Sequence, residues 1–185
     1  AGATQAGGPA LSFVTRGANG FGAPDVSPDG ASVTFCSCWV RADTDENIYV
    51  ARADGSGLRA LTSDRGKSNR LPRWTADGKR ILFYSNRGGA WQVWSVAPDG
   101  SGLAALTAAS ERVMLFTIPA RNGARAISWV NMQGMALFDF SRPQGEALER
   151  DIPPHRATGS QFVPSDFSPD GRTLASFNLG ASRYA

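Results

Sequence analysis

The chain has 185 residues, 42% of them hydrophobic and 19% charged, which is enough to build one substantial core. Its net charge of +3 rests on arginines spread singly along the chain, with lysine only at Lys67 and Lys79; nucleic-acid recognition needs a clustered basic patch, so that class of function is set aside. No stretch approaches the roughly 18 consecutive apolar residues of a membrane-crossing helix, so no membrane span is expected.

In chain order, residues 1–9 are small and Gly-rich without apolar periodicity and read as a flexible tail. Ala10 to Arg16 has the pattern of an outer strand and is expected to close the last repeat rather than the first. From there the chain repeats itself. Turn motifs at Ser27-Pro28-Asp29-Gly30, Thr75-Ala76-Asp77-Gly78, Ala120-Arg121-Asn122-Gly123 and Ser168-Pro169-Asp170-Gly171 place their glycines 48, 45 and 48 residues apart. A second series, Ile48 to Thr62, returns as Val93 to Thr107 at a constant offset of 45. Self-similarity at this period marks a repeat array in which each unit buries its apolar surface on the next.

Within each unit the apolar residues form short runs rich in β-branched and aromatic types, bounded by Gly, Pro, Asp and Ser, which predicts strands. Repeat one covers about 22–62, repeat two 70–107, repeat three 113–151 and repeat four 160–185, the last with only two strands before the sequence stops. Repeat two shows the plan: Leu71 to Thr75, Arg80 to Ser85, Trp91 to Ala97 and Leu103 to Leu106. Four short strands in an up-and-down meander make a propeller blade. The fold class is therefore all-β, a β-propeller of four-stranded antiparallel blades with about three full blades and a partial fourth. Such a count fits a fragment of a larger propeller, the favoured reading, or a small incomplete ring.

Aligned on the turn glycines, Val26, Trp74, Pro119 and Phe167 share one register and are expected between blades. One residue earlier, on the opposite face, stand Asp25, Arg73, Ile118 and Asp166. If the first strand of each blade lines the axis, Asp25, Arg73 and Asp166 rim the channel, either pairing with one another or holding a small ligand or ion.

Cys36 and Cys38 stand two apart on a strand, where Cα atoms lie roughly 6.5–7 Å apart, at the far limit of disulfide geometry; they are expected to be small buried residues rather than a bonded pair. The loop Arg41 to Asn47 is three residues longer than its counterpart in repeat two. Its Asp43, Asp45 and Glu46 offer the hard oxygen ligands that calcium prefers, but the glycine and distal glutamate of an EF-hand loop are missing, so a solvated acidic loop without metal is the expectation. No cofactor is expected.

The run Pro72-Arg73-Trp74-Thr75-Ala76-Asp77-Gly78, Ile81, Phe83, Ser85, Asp99-Gly100-Ser101-Gly102 and Leu106-Thr107 resembles the WD-like repeat of TolB-like β-propellers. The likeness covers most of 22–180, is strongest in repeats one and two, and weakens in repeat three, where Leu137 to Asp151 lacks the Asp-Gly-Ser-Gly turn. What the resemblance implies is a periplasmic or extracellular envelope setting and a role docking other proteins, as an accessory subunit of a membrane-associated complex.

Catalytic signatures of propeller enzymes are missing from this sequence. The sialidase-type Ser-x-Asp-x-Gly-x-x-Trp box is not formed, since Ser-Pro-Asp-Gly lacks its spacer, and no Gly-x-Ser-x-Gly elbow occurs. The single histidine, His155, sits in Pro153-Pro154-His155-Arg156 with no adjacent nucleophile. The expectation is a non-catalytic scaffold for protein contact. Asp43, Asp45, Arg73 and Trp91 are its candidate binding residues, because loops and rims carry propeller contacts and Arg and Trp favour hot spots. The alternatives are the propeller portion of a larger hydrolase of the prolyl-oligopeptidase type, or a small-ligand or metal-binding propeller.

Overall fold

The computed structural model describes residues 21–38, 45–109, 113–132, 134–143, 146, 148–153 and 162–178. Among these residues every regular element is a strand. Three four-stranded antiparallel sheets follow one another: β1 (Gly22–Val26), β2 (Ser32–Cys36), β3 (Ile48–Arg52) and β4 (Arg59–Ala60); β5 (Asn69–Trp74), β6 (Ile81–Ser85), β7 (Gln92–Val96) and β8 (Ala104–Ala105); β9 (Met114–Pro119), β10 (Arg125–Val130), β11 (Gly134–Asp139) and β12 (Leu148–Ile152). A fourth sheet holds the hairpin β13 (Phe162–Phe167) and β14 (Leu174–Asn178). Each sheet is a meander in sequence order, and β1 lies beside β5, β5 beside β9 and β9 beside β13. The first strands thus surround one axis, as in a propeller. The expected outer strand Ala10 to Arg16 and the end of the chain from 179 lie outside the described residues.

The Asp-Gly turns have a common chemistry. Gly30 N–H donates to the Ser27 carbonyl at 2.8 Å, Ser27 Oγ donates to Asp29 Oδ1 at 2.5 Å, and the Ala31 N–H donates to that same oxygen at 3.0 Å. Thr75 and Asp77 repeat the arrangement in the second blade, Ser168 and Asp170 in the fourth. The side chain thereby satisfies donors that a tight turn leaves exposed. Successive turns also touch: Asn122 Nδ2 donates to the Asp170 carbonyl at 2.5 Å.

Every first strand carries a bulge. The pairing register slips between Gly22 and Asp25, between Arg70 and Arg73, opposite Ile127–Trp129 in the third blade, and between Pro164 and Asp166. At these slips Ala23, Leu71 and Phe116 adopt positive φ of 52°, 51° and 49°, a left-handed conformation unusual for residues with a side chain. Bulges bend a strand and re-aim the residues after them, and proline is tolerated there because it leaves no ladder donor stranded. Pro24 and Pro72 stand immediately after the left-handed residue, and the next residue in each blade is Asp25 or Arg73.

The core fills the spaces between blades. Trp74, 7% exposed, packs with Cys36, Cys38, Ile48, Val50 and Leu61 of the first blade and with Ile81, Phe83 and Val96 of its own. Between the second and third blades Val93 meets Met114, Val130, Ala136 and Phe138. Val26 corrects the register expectation: it is 56% exposed, because Trp74 packs back onto the preceding blade and no described blade precedes the first. A second correction concerns the cysteines. Cys36 and Cys38 form a disulfide with a Cα separation of 5.1 Å, shorter than extended geometry gives, because the chain leaves β2 at Ser37 and turns at Cys38. Both remain buried.

Candidate functional site

The bulged first strands converge on a cavity of about 490 Å³ at the axis, lined from all four repeats by Pro24, Asp25, Val26 and Pro28, by Arg73, Trp74, Thr75 and Ala76, by Ile118, Pro119, Ala120 and Arg121, and by Ser165 and Asp166. Its charged groups are of both signs. Asp25 Oδ2 accepts the Trp74 N–H at 2.7 Å, which ties the first blade to the second. Burial pushes the Asp25 carboxyl above its ordinary value of 3.8, partly offset by that hydrogen bond and by the charges of Arg73 and Arg121, while Asp166 adds to the rise. Arg121 pairs with Asp166 across the third and fourth blades, and this bond and charge hold the Arg121 guanidinium more firmly protonated. Asp166 Oδ1 accepts the Phe167 N–H at 2.8 Å. Arg73 donates from Nη1 to the Pro72 carbonyl at 3.0 Å.

The structure therefore brings Asp25, Arg73 and Asp166 together around one mouth, with Ile118 as the apolar member of the same register. Arg121 was not among the residues singled out from the sequence. It occupies the turn position held by Pro28, Ala76 and Pro169 in the other repeats, and an arginine replacing a turn-former was the signal available. Among the described lining residues the hydroxyls are Thr75, which donates to Asp77, and Ser165; no histidine or cysteine is present. Such a set can hydrogen-bond and orient polar groups of either charge.

The acidic loop takes a different part. Asp43 and His155 lie outside the described residues. Asp45 Oδ1 accepts the Gly66 N–H at 2.6 Å. Glu46 is 5% exposed rather than solvated, and its two oxygens meet Arg70 Nε at 2.5 Å and Nη2 at 3.0 Å, a bidentate pair. Asn47 Oδ1 accepts from Thr62 Oγ1 at 2.9 Å. Of these, the Glu46–Arg70 pair fastens the first blade to the second. Trp91 is half-buried, its ring 5.3 Å from that of Tyr84 and 5.4 Å beneath the Arg70 guanidinium, so it forms part of the same inter-blade cluster. Among the described residues no group of three metal-ligating side chains comes together.

Comparison with known proteins agrees with this architecture. Dipeptidyl-peptidase 5 of Porphyromonas gingivalis is 35% identical over 71 residues, covering 37% of this chain and 10% of the peptidase. Among solved structures, a putative TolB from Agrobacterium tumefaciens superposes with a TM-score of 0.61 at 26% identity, over 83% of this chain and 57% of that one. TolB from Acinetobacter baumannii gives 0.63 at 19% identity, over 89% and 45%, a likeness of fold. The chain spans about a tenth of that peptidase, 57% of the Agrobacterium protein and 45% of the Acinetobacter one. A family model described as the TolB beta propeller domain, PD40, matches residues 10–149, and the chain belongs to that family.

Proposed function

We propose that this chain is a non-catalytic propeller that docks other proteins at its channel mouth, in the envelope setting that membership of the TolB propeller family suggests, as an accessory subunit of a membrane-associated complex. The observation that carries the reading is the axial cavity, to which all four repeats contribute and whose Asp25, Arg73, Arg121 and Asp166 present charged recognition groups of both signs. Rims and loops held by a rigid scaffold are where propellers place their contacts. Arg73, at the rim, is the leading contact residue; Asp45, which holds the Gly66 N–H, and Trp91, which lies beneath Arg70, support the loop face, and Asp43 belongs to that loop by sequence.

The test is to isolate the intact protein from its native source and to compare it with an Arg121→Asp variant. Recovery within a larger assembly that the variant leaves, while the variant keeps its β-rich circular dichroism, supports docking at the mouth. A protein found alone, with the variant indistinguishable, overturns it. One observation favours a second reading, the propeller portion of a larger hydrolase: the 35% identity to a segment of a dipeptidyl-peptidase. An intact mass far above the 19.6 kDa of these residues, together with peptidase activity of the native protein, would establish that reading instead.

A further inference from the structure

The turn of the third blade departs from the other three at two positions. In the first, second and fourth turns a hydroxyl of Ser27, Thr75 or Ser168 donates to Asp29, Asp77 or Asp170, and that carboxylate accepts the N–H two residues ahead. The third turn has Ala120 in place of the hydroxyl and Asn122 in place of the aspartate. Freed from its own turn, the Asn122 side chain crosses to the fourth blade, where Nδ2 donates to the Asp170 carbonyl at 2.5 Å and the side chain lies against Gly171. The backbone differs as well. Gly30, Gly78 and Gly171 each donate their N–H to the carbonyl three residues back, whereas the Gly123 N–H has no hydrogen-bond partner among the described residues. Asn122 and Gly123 are both exposed.

We propose that Asn122-Gly123 is a site of spontaneous deamidation, and that the reaction converts a tie between the third and fourth blades into a cap within the third turn. The Gly123 nitrogen attacks Asn122 Cγ; the new C–N bond closes a five-membered succinimide, the Cγ–Nδ2 bond breaks, and Nδ2 leaves as ammonia with the proton from the Gly123 amide. Water then opens the ring at either carbonyl, giving aspartate or isoaspartate. Glycine has no side chain to obstruct the approach, and an N–H without an acceptor is engaged without breaking a turn bond. Because Cγ must first leave the Asp170 carbonyl, the closed seam slows the attack and each opening of the seam admits it. The consequence follows from the donor count. A primary amide donates to a carbonyl but a carboxylate only accepts, so the bond to Asp170 is lost. In the aspartate product position 122 carries the group of the other three turns, whose carboxylates take the N–H two residues ahead; here that donor is Ala124. The seam then leans on the Arg121–Asp166 pair, which is exposed at both partners and weak by itself. Ser165 and Asp166 line the channel mouth, so the reaction loosens one side of it.

The experiment holds the intact protein in warm, mildly alkaline buffer and maps its peptides by mass over time. The expected result is a gain of one mass unit at Asn122, as both aspartate and isoaspartate, at least about tenfold faster than at Asn47, Asn69, Asn86, Asn131 or Asn178, each of which precedes a residue with a side chain. Asn19-Gly20, outside the described residues, is read on a separate peptide. No gain at Asn122, or one no faster than at those asparagines, overturns the inference. Hydrogen exchange reads the consequence. Asn122→Asp should raise exchange of the Phe162–Phe167 and Leu174–Asn178 amides at least about threefold and leave Ile81–Ser85 as it was, while Asn122→Gln, which keeps an amide donor, should exchange more slowly there than Asn122→Asp. Exchange in Asn122→Asp that matches the unaltered protein, or that rises equally in every blade, overturns the conversion from tie to cap. If that variant does not fold, aged protein is compared with fresh for the same local rise, and its absence is equally decisive against the conversion.

Discussion

Blade two and the hairpin of blade four begin alike and end differently. Both have a bulged first strand, an Asp-Gly turn with the same hydrogen bonds and a second strand leaving that turn. In blade two the second strand, Ile81–Ser85, is buried at every position, and Trp74 is sealed on both sides. In blade four Phe167 and Leu174 are half-buried and Phe177 is 50% exposed. The strand sequences are of the same kind; the neighbours are not. Burial in a repeat fold is a property of the interface between units, and a residue type acquires its energetic weight from the blade on either side.

The comparison is broken or sharpened most strongly at the paired aromatic positions. Trp74→Ala is expected to cost about 3–5 kcal/mol in urea unfolding, and Phe167→Ala less, about 2–3 kcal/mol, because Phe167 keeps more of its surface in water than Trp74 does. Equal costs would show that burial depends on the strand itself. Next come the ion pairs. Glu46→Ala removes the bidentate partner of Arg70 in the seam between the first two blades and should cost about 1–3 kcal/mol, whereas Arg121→Ala, at a solvent-exposed pair, should cost no more than about 1 kcal/mol by the same measurement.

Smaller effects are expected at the turns. Gly78 and Gly171 both have a φ of 67°, so alanine at either pays about 1–2 kcal/mol for the left-handed conformation. A Cβ on Gly78 would sit 3.7 Å from Pro28 Cδ, an ordinary contact, but one on Gly171 would fall 2.0 Å from Asn122 Oδ1 and displace a side chain bonded to the Asp170 carbonyl. Gly171→Ala should therefore lower the melting temperature more than Gly78→Ala. The smallest effect is that of pH. Hydrogen bonds from Thr75 and the Lys79 N–H hold the Asp77 carboxyl below 3.8, so its stabilisation is present above pH 3.8 and is lost as pH falls through the lower folded value. Asp25 runs the other way: its folded value is raised, so its ionisation opposes folding as pH rises through that value. Asp25→Asn, which keeps an acceptor for the Trp74 N–H, should raise the melting temperature at pH 7 and leave it unchanged below pH 3.8.

The repeat, the meander and the meeting of Asp25, Arg73 and Asp166 around one axis were legible in the spacing of Asp-Gly turns, because turn chemistry is local and strand alternation transmits it to the next few residues. The bulges were not, since Ala23, Leu71 and Phe116 are residue types that seldom take positive φ and carry no mark of it. Alternation holds from Asp25 onward, as the bulge precedes it and each first strand has one. Glu46 read as solvated because its partner, Arg70, lies 24 residues away in another blade, a distance at which sequence pattern is silent. The cysteine bond hid for a smaller reason: one residue of lost extension at Ser37 brings the two Cα atoms to 5.1 Å.

The ties between blades also set an order of events during synthesis. Glu46 reaches Arg70 across 24 residues, Asp64 reaches Arg87 across 23, Asp25 reaches Trp74 across 49 and Asn122 reaches Asp170 across 48. Each contact needs no more chain than the next repeat provides. As a growing polypeptide emerges from the ribosome amino end first, every new blade finds its docking partner already made, and the seam behind it closes before the seam ahead exists. The Trp74 surface is then covered within one repeat of its appearance, and the apolar face that waits at any moment is never more than one blade wide.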